Sequence, residues 1–264
     1  MKLLGINKSK IKAKAPKSRG YIMYQGPSML TGADIVVIAT MSTSNDKTGD
    51  MVQTWILDAN TNPIEAVKSG DDESVCGNCP HRGTTCYVQV GQAPNAVYKG
   101  FKRGIYPKFD MSLHSVYFSN RKIRLGAYGD PAAAPYDTMA LIAGLGLGHT
   151  GYTHQIAHKG FDKRFINLCM VSADTPKQAF KYQALGAHTF RVALKGDSLA
   201  EGEIECLADS EGIQCIDCGL CDGTKKNIAI TVHGKAASKF KSAMVIPSTM
   251  VAVSYTHLTL PTNR

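Results

Sequence analysis

Seven of the eight cysteines in this 264-residue chain fall into two groups, Cys76, Cys79 and Cys86 (C-x2-C-x6-C) and Cys206, Cys215, Cys218 and Cys221 (C-x8-C-x2-C-x2-C). Gly77, Pro80 and Gly83 interrupt the first group, so it reads as a loop that curls around one centre rather than as a helix or strand. Thiolates so arranged bind zinc or an iron–sulfur cluster, and the spacing leaves both open. The second group suffices for one zinc or one [4Fe–4S] cluster. Its run Cys215, Cys218, Cys221 has a ferredoxin-like rhythm, and Gly219 and Gly223 let backbone amides approach the sulfurs. The first group needs a fourth ligand to hold zinc, and His81 inside the loop is the candidate. With a cluster instead, three thiolates leave one iron open to a small molecule.

Those loops need a scaffold, and the pattern around them is α/β. Ile35–Met41 and Met51–Leu57 read as two strands joined by a polar loop, with Trp55 as core packing. A helix over 93–103 follows the first cysteine loop. From Ile123 onward the order is strand (123–128), helix (135–143), short strand (153–156), strand (165–171), helix (176–185), strand (188–194), cysteine loop and strand (227–233). Thr175 and Pro176 supply the N-cap and first turn of the second helix, and Gly186 its stop. Such alternation predicts parallel packing, as a partial or complete (β/α) barrel-like domain with an N-terminal β-hairpin extension. Functional loops then gather at the carboxyl ends of the strands, where Asp130, Ser172 and His233 fall. Cys169, among apolar neighbours, reads as a buried thiol.

Residues 146–151 match G-x-G-x-x-G, but a helix precedes them and none follows, so they are not read as a dinucleotide fingerprint. Arg191, inside a strand, suits either a buried anion contact or an ion pair.

The expected organisation is a basic arm over 1–20, one α/β domain over 21–249 and a tail over 250–264. The net charge is +9, and Lys2, Lys8, Lys10, Lys12, Lys14, Lys17 and Arg19 precede the first acidic residue. Such an arm is either a solvated tail or a salt-sensitive contact to nucleic acid. No signal-peptide pattern opens the chain and no apolar run is long enough to span a bilayer, so the expected setting is cytoplasmic, without a membrane partner. In that reducing compartment, clustered cysteines favour metal over disulfides. Residues 254–264 resemble translated sequencing adaptor of the kind met in metagenomic assemblies, which implies a missing natural C-terminus.

Two resemblances add to this reading. A three-cysteine loop after an early strand, a helix, and a strand ending in Gly129-Asp130-Pro131 looks like the opening of a radical S-adenosylmethionine enzyme. The resemblance implies a [4Fe–4S] cluster on Cys76, Cys79 and Cys86, with S-adenosylmethionine on the open iron. It also places Tyr87 beside the last ligand, and Gly129 and Asp130 at the cofactor's amino group. Cys206, Cys215, Cys218 and Cys221 then resemble an auxiliary Fe–S site. The segments Thr48–Leu57, Cys76–Arg82, Cys86–Gln92 and Arg124–Pro131 are similar to a family of proteins found in phage and prophage genomes, which implies a phage-related setting in a host cytoplasm.

Three functions follow as expectations: a radical S-adenosylmethionine-like Fe–S enzyme, a zinc-stabilised nucleic-acid-binding protein of phage replication or DNA modification, and a metallohydrolase using Asp130, His149, His154 or His158. The third lacks a coherent ligand spacing.

Overall fold

The computed structural model describes residues 18–232 and 237–240. Most of the basic arm, His233 and the tail lie outside the described residues. The chain is mixed α/β, with two five-stranded sheets. β1 (Gly20–Pro27), β2 (Asp34–Thr40) and β3 (Val52–Asp58) form an antiparallel meander, and β3 pairs in parallel with β4 (Lys122–Tyr128), which pairs in parallel with β5 (Gly148–Thr150). The expected hairpin is therefore continuous with the parallel strands.

The second sheet is wholly parallel, in the order β6 (Tyr152–Thr153), β7 (Met170–Ala173), β8 (Thr189–Ala193), β10 (Asn227–Thr231) and β9 (Glu203–Glu205). Gly151 alone separates β5 from β6, so one short stretch of chain passes from the first sheet to the second.

β2 and β3 are buried on both faces, as their unbroken apolar runs require. Trp55 belongs to that core, and its indole donates to Thr40 Oγ1 at 2.9 Å. The helices are short: α1 (Pro63–Ser69), α2 (Glu73–Cys76), α3 (Ala93–Lys102), α4 (Met111–His114), α5 (Tyr136–Gly144), α6 (Pro176–Gln183), α7 (Leu207–Ser210) and α8 (Cys215–Cys218). Helices α1 and α3 pack on β3, α5 on β4 and β5, and α6 on β7 and β8. As expected, Thr175 caps α6, its hydroxyl accepting from Gln178 N at 3.1 Å, a bond worth about 1 kcal/mol. No helix among the described residues is long and apolar enough to cross a membrane.

Three expectations are corrected. The strand expected over 165–171 begins only at Met170, because Asp162 caps a 3-10 helix over Lys163–Asn167 that drives Phe165 into the core. The strand expected over 153–156 stops after Thr153, where Gln155–Ala157 turns into another 3-10 helix. Gly26 and Pro27, a pair that reads as a turn in the sequence, instead close the strand β1. Arg191 is an ion pair: it grips Glu203 with Nε and Nη2 at 2.6–3.1 Å, and both side chains are almost fully buried.

Candidate metal centres

The first cysteine loop is held by a small polar frame. Asn62 caps α1, and Gly70 ends it in the left-handed conformation. The Asp58 carboxylate, at the end of β3, accepts from Asn60 N, Thr61 N and Ser74 Oγ. Arg82 then clamps the loop, donating to Gly77 O, Gly70 O and Asp72 Oδ1 at 2.6–2.9 Å. Strand ends press against the same loop. Asp130 N donates to Val75 O at 2.7 Å, and Gln155 Nε2 donates to Cys76 O at 2.9 Å. Cys76 ends α2, and burial pushes its thiol well up, with the neighbouring Cys79 and Cys86 pushing further. Cys86 stands at the exposed side.

Around this group several buried polar atoms lack a partner: Tyr128 OH, Arg82 Nε and Gln155 Oε1. Tyr128 is held protonated by burial and by the nearby charges of Cys76, Asp72 and Cys86. Buried donors and acceptors are normally satisfied, so this concentration of orphans beside three thiols fits a group seated among them. A bound metal deprotonates coordinating thiols outright, which would offset the burial that raises the Cys76 and Cys86 thiols.

Asp130 is placed as the sequence suggested, just past the end of β4, but its oxygens are engaged. Oδ1 accepts from Ala132 N at 2.9 Å and Oδ2 from His154 N at 2.8 Å. Burial raises its carboxyl, and those two amides pull it back. Gly129 has φ +79, and a Cβ there would meet Ile56 O at 2.6 Å, so it serves the close approach of the strand tip to β3. Ser172 lies inside β7 and is buried.

The second group closes from three directions. Cys206 N donates to Ala229 O, which carries the chain past β9 on the flank of β10. Helix α8 docks on the β2–β3 loop, with Cys215 N donating to Lys47 O and Ile216 N to Thr48 O. Cys221 O accepts from Gly151 N, at the passage between the sheets. Burial pushes the Cys221 thiol up to about 12; the Tyr152 hydroxyl pulls it back, while Cys206, Cys215 and Cys218 add to the rise. Charge on any of the other three cysteines thus bears on Cys221. Met170, Ile228, Phe190, Ile204 and Leu220 pack with Cys206 and Cys221 in a satellite core. Every cysteine is a free thiol, and Cys169 is buried as expected.

Between the two groups runs a bridge that the spacing of residues did not suggest. Arg124, on β4, is buried and donates to Tyr87 OH at 2.6 Å, next to Cys86. Burial opposes its charge, but Tyr87, Tyr152 and Cys215 hold the guanidinium ionised, and Nε has no partner. Burial pushes the Tyr152 hydroxyl well up, and Cys221 adds to the rise while Arg124 opposes it, so Tyr152 lies within electrostatic reach of both Arg124 and the second cysteine group.

Sequence reasoning also missed Asp174. It follows β7 as His154 follows β6, so both stand one residue past neighbouring parallel strands. Asp174 Oδ1 lies 2.9 Å from His81 Nε2 and 3.5 Å from His154 Nε2. His154 Nδ1 lies 3.6 Å from Cys79 Sγ. The other two histidines of the hydrolase set stand apart: His149 Nε2 bonds Leu168 O, and His158 Nδ1 accepts from Gly160 N. The only signal for the pair His154 and Asp174 was their place at strand ends. Comparison with protein-family models, with curated proteins and with solved structures finds no significant match to this chain.

Proposed function

We propose that the chain is an iron–sulfur protein with two thiolate-held centres, acting as a radical S-adenosylmethionine-like enzyme. The observation that carries the proposal is the grouping of free cysteines into two sets, Cys76 with Cys79 and Cys86, and Cys206 with Cys215, Cys218 and Cys221, with the buried polar atoms Tyr128 OH, Arg82 Nε and Gln155 Oε1 left without partners beside the first. The spread of the sulfurs favours clusters over zinc. Sulfurs about 2.3 Å from one tetrahedral zinc lie about 3.8 Å apart. Among the described residues, the group of three ligand atoms within 4.8 Å of one another is His81, His154 and Asp174, not a cysteine set. A cubane spreads its thiolates over separate irons and tolerates the wider spacing.

With three thiolates, a [4Fe–4S] cluster bound at Cys76, Cys79 and Cys86 supplies an iron with an open position for S-adenosylmethionine. The chain's own residues hold and shield that position. Arg82 and Gln155 fix the loop through Gly77 O and Cys76 O. Asp130 is held at the strand tip by the amides of Ala132 and His154, and in this reading its carboxylate would be the acceptor for the cofactor's amino group.

The test is iron and acid-labile sulfide on protein purified without oxygen. We expect about eight irons per chain, a broad absorbance near ~400 nm bleached by dithionite, and loss of about half the iron in either Cys76→Ser or Cys215→Ser. Stoichiometric zinc without sulfide overturns the reading. That outcome would support a second one, zinc in both loops with nucleic acid as partner, which the charge of the arm favours. Six lysines and no acidic residue occupy positions 1–17. Affinity for generic DNA or RNA would then fall steeply with salt and disappear on removal of 1–17.

A further inference from the structure

We propose that His81, His154 and Asp174 form a further metal site, beside the first cysteine loop that carries His81, for a divalent cation that prefers nitrogen and oxygen ligands, of the Mn(II) or Fe(II) class. The three ligand atoms lie within 4.8 Å of one another. At metal–ligand distances of about 2.1 Å, adjacent donors in a tetrahedral or octahedral shell lie about 3.0–3.4 Å apart. The contacts to Asp174 Oδ1, 2.9 Å from His81 and 3.5 Å from His154, match such edges. Two imidazoles and one carboxylate, with the remaining positions open, make the donor set of mononuclear non-haem iron sites.

The surroundings support ligation. His81 Nδ1 lies 2.6 Å from Thr85 Oγ1. When that nitrogen donates to the hydroxyl, Nε2 turns a lone pair toward the Asp174 carboxylate, an arrangement that a bound cation satisfies. Such outer bonds fix the tautomer of metal-binding histidines. The backbone of Asp174 is fixed as well, its N–H donating to Gln178 Oε1 at 2.7 Å. Phe240 stacks on His81 at 5.5 Å and covers that side of the site. The side chains are only 10%, 22% and 12% exposed for His81, His154 and Asp174. The site also sits at the carboxyl ends of two adjacent parallel strands, β6 and β7, where α/β proteins collect ligands. His154 touches Cys79, so a cation here lies beside the first cysteine loop without sharing its thiolates.

Mn(II) is the probe, since it favours carboxylate over thiolate and its binding is read from the loss of the free-ion EPR signal. Titration of the full chain should show one bound Mn(II) per molecule. Asp174→Asn should weaken it more than tenfold, and Thr85→Val, which touches only the outer bond, by about 10–100-fold. Asp137→Asn, at an exposed carboxylate outside the site, should bind Mn(II) as the parent does. Circular dichroism checks folding, and if Asp174→Asn misfolds, Thr85→Val decides. Absence of a stoichiometric Mn(II), or unaltered binding in a folded Asp174→Asn or Thr85→Val protein, overturns the proposal. Iron and sulfide content is measured separately, so either proposal can fail while the other stands.

Discussion

Arg124 is the residue whose surroundings ask most of a partner. A buried guanidinium with one hydroxyl acceptor and an orphaned Nε is poorly compensated in the metal-free chain. Thiolates gathered around a bound metal would supply the missing negative charge from the Cys215 side. Arg124→Met should therefore leave the melting temperature of metal-free protein unchanged or higher, yet speed loss of metal from the second group to a chelator. A large drop in metal-free stability with metal retention intact would contradict that role. Gly77 poses a steric question instead. Its φ is +53, and an added Cβ would stand 2.2 Å from Gln155 Oε1. Gly77→Ala should destabilise the fold by about 1–3 kcal/mol in urea unfolding and loosen the bond from Gln155 to Cys76 O. At this scale the irregular course of the first cysteine loop was legible, because Gly77, Pro80 and Gly83 exclude a regular helix or strand without reference to the rest of the chain. Arg124, Tyr152 and Asp174 were not, since each becomes informative only when strands far apart in sequence are paired.

Among the elements, the edge of the second sheet depends on a pair that crosses a strand. Arg191 on β8 reaches over β10, where its lateral neighbour is only Ala229, to Glu203 on β9. Glu203 also accepts from Ala200 N, so the turn into β9 hangs on the same carboxylate. Removing one partner leaves a buried charge without compensation. Arg191→Met alone should cost about 3–5 kcal/mol by denaturant unfolding, whereas Arg191→Met with Glu203→Leu should recover most of that loss. Equal losses in the single and double variants would show that packing, not charge, decides the site. Strand β9 escaped sequence reading because three residues with glutamate at both ends show no apolar run. The misreading of 165–171 has the opposite cause: Phe165, Leu168 and Met170 are all core residues, and an apolar run does not by itself distinguish a strand from a tight helical turn. The long runs of β2, β3 and β4 were legible because both the run and its turn signals agreed.

Across the whole molecule, the second cysteine group acts as a fastener between the sheets. Its loop reaches back to the β2–β3 connection through Cys215 N, Ile216 N and Gln214 Nε2, which donate to the carbonyls of Lys47, Thr48 and Asp46. Lys47 adds an ion pair with Asp209 at 3.5 Å, and Cys221 O meets Gly151 between β5 and β6. These are few, mostly exposed bonds, and the segment from Cys206 to Cys221 contains only two helices of four residues each. Short helices of that length do not persist unaided, so in the proposed reading a metal centre would help to hold the loop. The core of the first sheet makes no such demand, being apolar and buried. If the second group binds metal as proposed, its removal should open this loop locally rather than unfold the chain. Hydrogen exchange checks it: chelation should speed exchange of the Cys215, Ile216 and Gly151 amides by orders of magnitude while the amides of β2 keep their protection. Cys215→Ser should reproduce the pattern, and Cys76→Ser should leave these amides slow. Uniform acceleration across both sheets would show instead that the metal holds the fold as a whole, and that the two sheets do not retain their pairing without it.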